Sequence, residues 1–207
     1  MIERTAEDLE QLKKLKLLIS GSFRGGTTYA SHVLRELGWH MGHESIFPRA
    51  SFMAHKLHKS RKYDGDASGS IYQYTSLILE AGIPVIQLVR HPVSVINSHL
   101  GHGVFLHDEK WSNAHWYCAH HITMTVLDPV DVVHLEAFEE EFPVAMARAG
   151  YVFTEEQYKK AFGAYRGKST PTTKRTWYDI PERNRQLALQ LGYDEHGYTG
   201  RYVATSG

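Results

Sequence analysis

The chain has 207 residues, 42% hydrophobic and 22% charged, a size and balance that fit one α/β-sized domain over residues 1–207. Its 23 Lys and Arg offset 23 Asp and Glu, so no global basic field exists to hold nucleic acid or an anionic membrane, and any polyanion has to be met locally. The single cysteine, Cys118, excludes an intrachain disulfide framework and a cysteine-rich zinc site. Residues 1–19 mix Glu, Asp and Lys with their leucines and lack the apolar run of a signal peptide or membrane span, which predicts a soluble cytoplasmic protein.

In chain order, residues 7–16 read as a short charged helix and 16–20 as a buried strand, because Leu17-Leu18-Ile19 is continuous rather than alternating. Residues 21–26 form a glycine turn. Residues 27–37 then set Ala30, Val33, Leu34 and Leu37 on one helical face, closed by Gly38. A short strand at 39–41 leads into a loop beginning Gly42-His43-Glu44. The polar stretch 55–69, with Lys56, Lys59, Arg61 and Lys62, is expected to be a mobile loop or short helix over an opening. A helix over 70–81 ends at Gly82, and 84–89 is a second buried strand with Arg90 at its carboxyl end. Pro92 suits the first turn of the next helix, where its missing N–H would have been unpaired anyway. The remaining pattern predicts a helix over 111–127, a strand over 131–135, helices over 139–149 and 155–164, a Gly/Lys/Thr-rich loop over 166–175, and a last helix over 181–191 stopped by Gly192. Strands alternating with helices imply a three-layer α/β fold, a mostly parallel central sheet flanked by helices, of the P-loop NTPase type.

Gly21-Ser22-Phe23-Arg24-Gly25-Gly26-Thr27-Thr28 carries the G-x-x-x-x-G spacing of a phosphate loop between a buried strand and a helix start. Backbone N–H groups there can surround an oxyanion, helped by the helix dipole. A nucleoside-triphosphate loop would carry Lys at Thr27, beside a magnesium ion; here the cation is Arg24, whose planar guanidinium can fork onto phosphate or sulfate oxygens. The second strand likewise delivers Arg90 where a magnesium-dependent enzyme wants a carboxylate. Ser94 and Ser98 share a face of the following helix. Two anion sites at carboxyl ends of parallel strands point to a nucleotide with two separated phosphate groups.

At these residues the chain resembles the sulfotransferase family, whose donor is 3′-phosphoadenosine 5′-phosphosulfate. Arg24-Gly25-Gly26-Thr27-Thr28 is similar to the family's 5′-phosphosulfate loop, with Gly25 where Ser is frequent. Arg90 and Ser98, eight residues apart with Pro92 between them, match its 3′-phosphate motif. Val132-Val133-His134-Leu135-Glu136 resembles the strand ending in Tyr-Glu, with Leu135 in the Tyr position. Trp177-Tyr178-Asp179-Ile180-Pro181 and Leu191-Gly192-Tyr193 look like the ending of tyrosylprotein-type and bacterial sulfotransferases. The resemblance implies a cofactor site of Arg24, Gly25, Gly26, Thr27, Thr28, Arg90 and Ser98, completed from the last loop, 166–175, by Lys168, Lys174 or Arg175. It also implies transfer to a hydroxyl or amine of a small-molecule, glycan or peptide acceptor.

Such a transfer needs a base for the acceptor's proton. Glu44 is the first candidate, because Gly42-His43-Glu44-Ser45 resembles the segment that carries the base in the tyrosylprotein branch, and His43 is the second, with the better unperturbed pKa. A pairing of Glu44 with Arg49 is the structural alternative. His99/His102, His115 and His120/His121 lack the further ligands of a metal site, so no metal is expected. Two rival readings remain: a P-loop kinase or NTPase in which Glu136 would serve magnesium, and a nucleotide-binding protein of the same fold without turnover.

Overall fold

The computed structural model describes residues 6–47, 57, 62–101, 108–164 and 175–200. Five strands, β1 (Leu17–Gly21), β2 (Met41–His43), β3 (Gly65–Ser68), β4 (Val85–Val89) and β5 (Asp131–His134), pair in the order β2-β3-β1-β4-β5, each neighbour parallel. Parallel pairing requires crossovers: α2 (Thr27–Glu36) lies between β1 and β2 and α3 (Thr75–Ala81) between β3 and β4, while α1 (Ala6–Leu12) precedes β1. Beyond β4 come α4 (Pro92–Gly101) and α5 (Glu109–Ile122); beyond β5 come α6 (Phe138–Arg148), α7 (Glu155–Gly163) and α8 (Glu182–Gln190).

Side-chain alternation along β1 sorts the two faces. Leu17 and Ile19 pack with Val33 and Leu34 of α2, Phe142 and Met146 of α6, and Ala161 of α7. Leu18 points the other way, into a cluster with Leu12 of α1 and Leu77 and Ile78 of α3. A third cluster joins Val89 of β4 to Val95 of α4, Trp116 of α5 and Leu187 and Ala188 of α8. All of β1 and β4 is therefore buried, which is why both read as unbroken apolar runs. The fold is the three-layer α/β arrangement expected. Because α2 and α3 leave on opposite faces, the carboxyl ends of the central strands open onto the crevice where such sheets bind ligands.

Several local expectations are corrected. Residues 65–68 are a strand inside the sheet, not part of a loop or short helix. Gly-Asp-Ala-Ser has no β-branched or large apolar side chain to announce a strand, yet all four residues are buried. The chain needs small residues here: a Cβ on Gly65 would lie 2.1 Å from the Leu17 carbonyl oxygen, and one on Gly69 2.3 Å from the Phe23 ring. The second strand begins at Met41 rather than at residue 39. α1 stops at Leu12, α5 gives way at Thr123 to a single π turn, and β5 ends at His134, so that Leu135 opens a 3-10 turn. After Gly192 a small antiparallel hairpin, β6 (Tyr193–Asp194) with β7 (Gly197–Tyr198), was not anticipated. Its turn is closed by the Asp194 carboxylate, which accepts the His196 and Gly197 amides at 2.8 and 3.2 Å.

Polar groups seat α5 on the sheet. Ser20 and Gln87 are register neighbours on β1 and β4. Ser20 shares a hydrogen bond with Thr123 at 3.1 Å, and Gln87 Nε2 donates to His120 Nδ1 at 2.6 Å. Burial pulls the His120 imidazole down to about 3, so the ring is neutral and accepts at Nδ1. Among the described residues no helix is long and apolar enough to cross a membrane.

Candidate functional site

The loop between β1 and α2 is shaped by its glycines. Gly26 has φ 100°, a left-handed conformation, and a Cβ there would meet Leu135 at 2.6 Å. Gly25 donates its amide to the Ser22 carbonyl at 2.9 Å, and a Cβ on it would come within 2.7 Å of that same oxygen. A side chain in place of Gly25 would therefore require the loop to shift. α2 starts at Thr27, and its first-turn amides have no intrahelical acceptor by construction, which directs N–H groups and the positive end of the helix dipole toward the loop. Beneath Gly25 the buried Ser22 hydroxyl has no hydrogen-bond partner among the described residues.

Arg24 is the loop's non-glycine residue at positive φ, 64°. From that backbone its side chain crosses to α4, where Nε donates to the buried Ser98 hydroxyl at 3.0 Å. Arg90 leaves the carboxyl end of β4 and donates from Nη1 to the Arg24 carbonyl at 3.1 Å. Its own carbonyl is held by Trp116 Nε1 at 3.2 Å. Burial lowers the Arg90 guanidinium from its ordinary value, with Glu136 and Tyr193 acting against it, and a guanidinium stays charged through such a shift. The two arginines anticipated as separate anion sites are thus neighbours, joined by the Arg90 bond to the Arg24 carbonyl, while Ser98 holds the Arg24 side chain.

The end of β2 supplies the other side of the loop. His43 Nε2 lies 3.3 Å from the Thr27 hydroxyl and 3.0 Å from that of Thr28. Glu44 follows at φ 52°, its amide donating to the Ala67 carbonyl at 3.1 Å. This strained corner is held by Asp66 of β3, a fully buried carboxylate that accepts the amides of Ser45 (3.2 Å), Ile46 (3.0 Å) and Phe47 (2.9 Å). Burial pushes the Asp66 carboxyl up while those amides pull it back down, the net direction being up. Sequence reasoning missed Asp66. Its one signal is an acid between small residues in a segment that reads as polar loop.

Two further features were also missed. Phe23, in the loop, stacks on His115 of α5 at 4.3 Å and 12°, and the Trp111 ring lies near-parallel to both, 4.8 Å from His115 and 6.1 Å from Phe23. Glu136, the candidate magnesium ligand of the kinase reading, is engaged at the sheet edge instead: Tyr193 OH donates to Oε2 at 2.7 Å and the His91 amide to Oε1 at 3.2 Å.

Arg24, Thr27, Thr28, Arg90, Ser98 and His43 are thus brought together at the carboxyl ends of β1, β2 and β4. Lys168 and Lys174, with Arg49 and His102, lie outside the described residues. The last residue of their loop, Arg175, is described: it pairs reciprocally with Asn97, amide to Oδ1 at 2.9 Å and Nδ2 to carbonyl at 3.2 Å, one residue from Ser98. A cavity of about 650 Å³ lies on that flank, lined by Glu109, the ion-pair partner of Arg175, and by Lys110 and Arg183. Among the described residues no group of three or more His, Cys, Asp or Glu is placed to hold a metal ion. Neither protein-family models nor curated proteins match the chain.

Proposed function

We propose that the protein transfers a sulfuryl group from 3′-phosphoadenosine 5′-phosphosulfate to a hydroxyl or amine acceptor. The observation that carries the reading is the joining of Arg24, Ser98 and Arg90 beside a glycine loop at a helix N-terminus. Two cations, a buried hydroxyl and the loop amides converge there, while the nearby carboxylate, Glu136, is occupied by Tyr193 and His91. That set suits a doubly phosphorylated nucleotide needing no divalent ion.

In the reaction the bond from sulfur to the 5′-phosphate oxygen breaks, its electron pair staying on the phosphate. A new bond from sulfur to the acceptor oxygen or nitrogen forms in line, and the acceptor's proton passes to a base. The leaving phosphate gains charge, and Arg24, the first-turn amides of α2 and the Thr27 and Thr28 hydroxyls are the groups able to stabilise it. Glu44 serves as the base in this reading. His43 Nε2 is already shared between the two threonine hydroxyls, which makes His43 the residue that orients them.

Thermal unfolding with added nucleotide tests the assignment. In EDTA, 3′,5′-adenosine bisphosphate at about a hundred times its dissociation constant adds about 2.7 kcal/mol of stability and raises the Tm by several degrees. ATP with magnesium leaves the Tm nearly unchanged. Stabilisation by ATP and magnesium alone points to a kinase; stabilisation by bisphosphate without transfer to any acceptor points to the turnover-deficient reading.

A further inference from the structure

We propose that His134 is a proton-dependent latch holding residues 191–198 against the Arg90 end of the site. Only what Arg90 binds is taken from the preceding reading.

His134, the last residue of β5, is 2% exposed, and both its ring nitrogens face acceptors. Nδ1 is 2.9 Å from Glu141 Oε2 on α6, and Nε2 is 2.7 Å from the Leu191 carbonyl oxygen that follows α8. A neutral imidazole has one N–H, so two acceptor partners require the imidazolium. Glu141 offers no proton in return: Oε2 also accepts the His134 amide at 2.6 Å, and Oε1 accepts the Tyr198 hydroxyl. Burial pushes the Glu141 carboxyl up, but the His134 ring and amide and the Tyr198 hydroxyl outweigh it and hold the group below the usual carboxylate range. Tyr198 of β7 stacks on the His134 ring at 4.1 Å, Tyr193 of β6 meets it edge-on at 5.4 Å, and α5 brings the neutral His120 into its field.

One ring therefore ties three segments together, and the tied segment reaches the site. Asp194 of the hairpin accepts from His91 Nε2 at 2.9 Å through its carbonyl, and Tyr193 OH donates to Glu136, the carboxylate whose field reaches Arg90. Loss of one His134 proton sets an acceptor against either Glu141 or the Leu191 carbonyl and strands a buried polar group. The hairpin then loosens, Tyr193 leaves Glu136, and the uncovered carboxylate competes with the ligand's phosphate for Arg90. Raising the pH thus opens the hairpin and weakens anion binding.

The test follows the full-length chain by NMR from about pH 5.5 to 8.5, the range in which histidines titrate. It records the His134 ring signals, amide-exchange protection factors for residues 193–198, and the affinity for 3′,5′-adenosine bisphosphate. Protection is expected to fall about tenfold over the same interval in which the His134 ring titrates, and the dissociation constant to rise roughly five- to tenfold. His134→Gln is expected to show the low protection at every pH, with no step; the wild-type titration stands if that variant fails to fold. Protection that is flat while His134 titrates, or a His134 ring that does not titrate in the interval, overturns the latch. Opening of the hairpin with no bisphosphate binding at any pH upholds the latch and overturns the sulfuryl-transfer reading instead.

Discussion

Replacing Arg90 by alanine is expected to weaken 3′,5′-adenosine bisphosphate binding by about a hundredfold or more, while adenosine 5′-phosphosulfate, which has no 3′-phosphate, loses less than about threefold. Removing one member of a buried, hydrogen-bonded charge pair costs about 2–5 kcal/mol, and 1.4 kcal/mol is a factor of ten in affinity. Arg90 is half-buried and its carbonyl is fixed by Trp116, so the residue is held at the end of β4 before any ligand arrives. Arg90 also grips the Arg24 carbonyl, which accounts for the small loss with the singly phosphorylated ligand. Arg90→Lys keeps a charge but not the fork and should fall between. Calorimetric titration of both ligands into each variant measures this, and equal losses for the two would remove the 3′-phosphate from Arg90.

Glu44→Gln is expected to leave donor affinity within about twofold and to lower the transfer rate by about 10²–10⁴, the usual contribution of a positioned base. The substitution is nearly isosteric and keeps the backbone bond from residue 44 to Ala67, so the strained corner after β2 survives. His43→Asn should behave differently, because it releases the Thr27 and Thr28 hydroxyls and so weakens both donor binding and transfer. Single-turnover transfer from radiolabelled donor, run beside equilibrium donor binding, separates the two. If Glu44→Gln turns over at the wild-type rate, the proton goes elsewhere.

What the sequence disclosed follows the physics of burial. β1 and β4 declared themselves because a strand covered on both faces is apolar throughout, and α2 because its inward residues recur at helical spacing. Arg24, Thr27, Thr28, Arg90 and Ser98 were legible because a loop at the end of a buried strand has fixed spacing to the helix after it. β3 was hidden by packing: where the Leu17 carbonyl and the Phe23 ring come within 2.1 and 2.3 Å of a Cβ position, only glycine fits, and glycine reads as loop. Asp66 was hidden with it. The contact between Arg24 and Ser98 joins residues 74 positions apart, and the His134 bond to Leu191 spans 57. Neither leaves a local pattern, because each depends on where a crossover returns the chain.

The most direct measurement is a crystal structure with 3′,5′-adenosine bisphosphate bound in magnesium-free buffer. The 5′-phosphate is expected within the loop between Ser22 and Thr28, and the 3′-phosphate on the Arg90 guanidinium and the Ser98 hydroxyl, both in one molecule of ligand. A nucleotide with either phosphate left in solvent, or bound away from the carboxyl ends of β1 and β4, would contradict it.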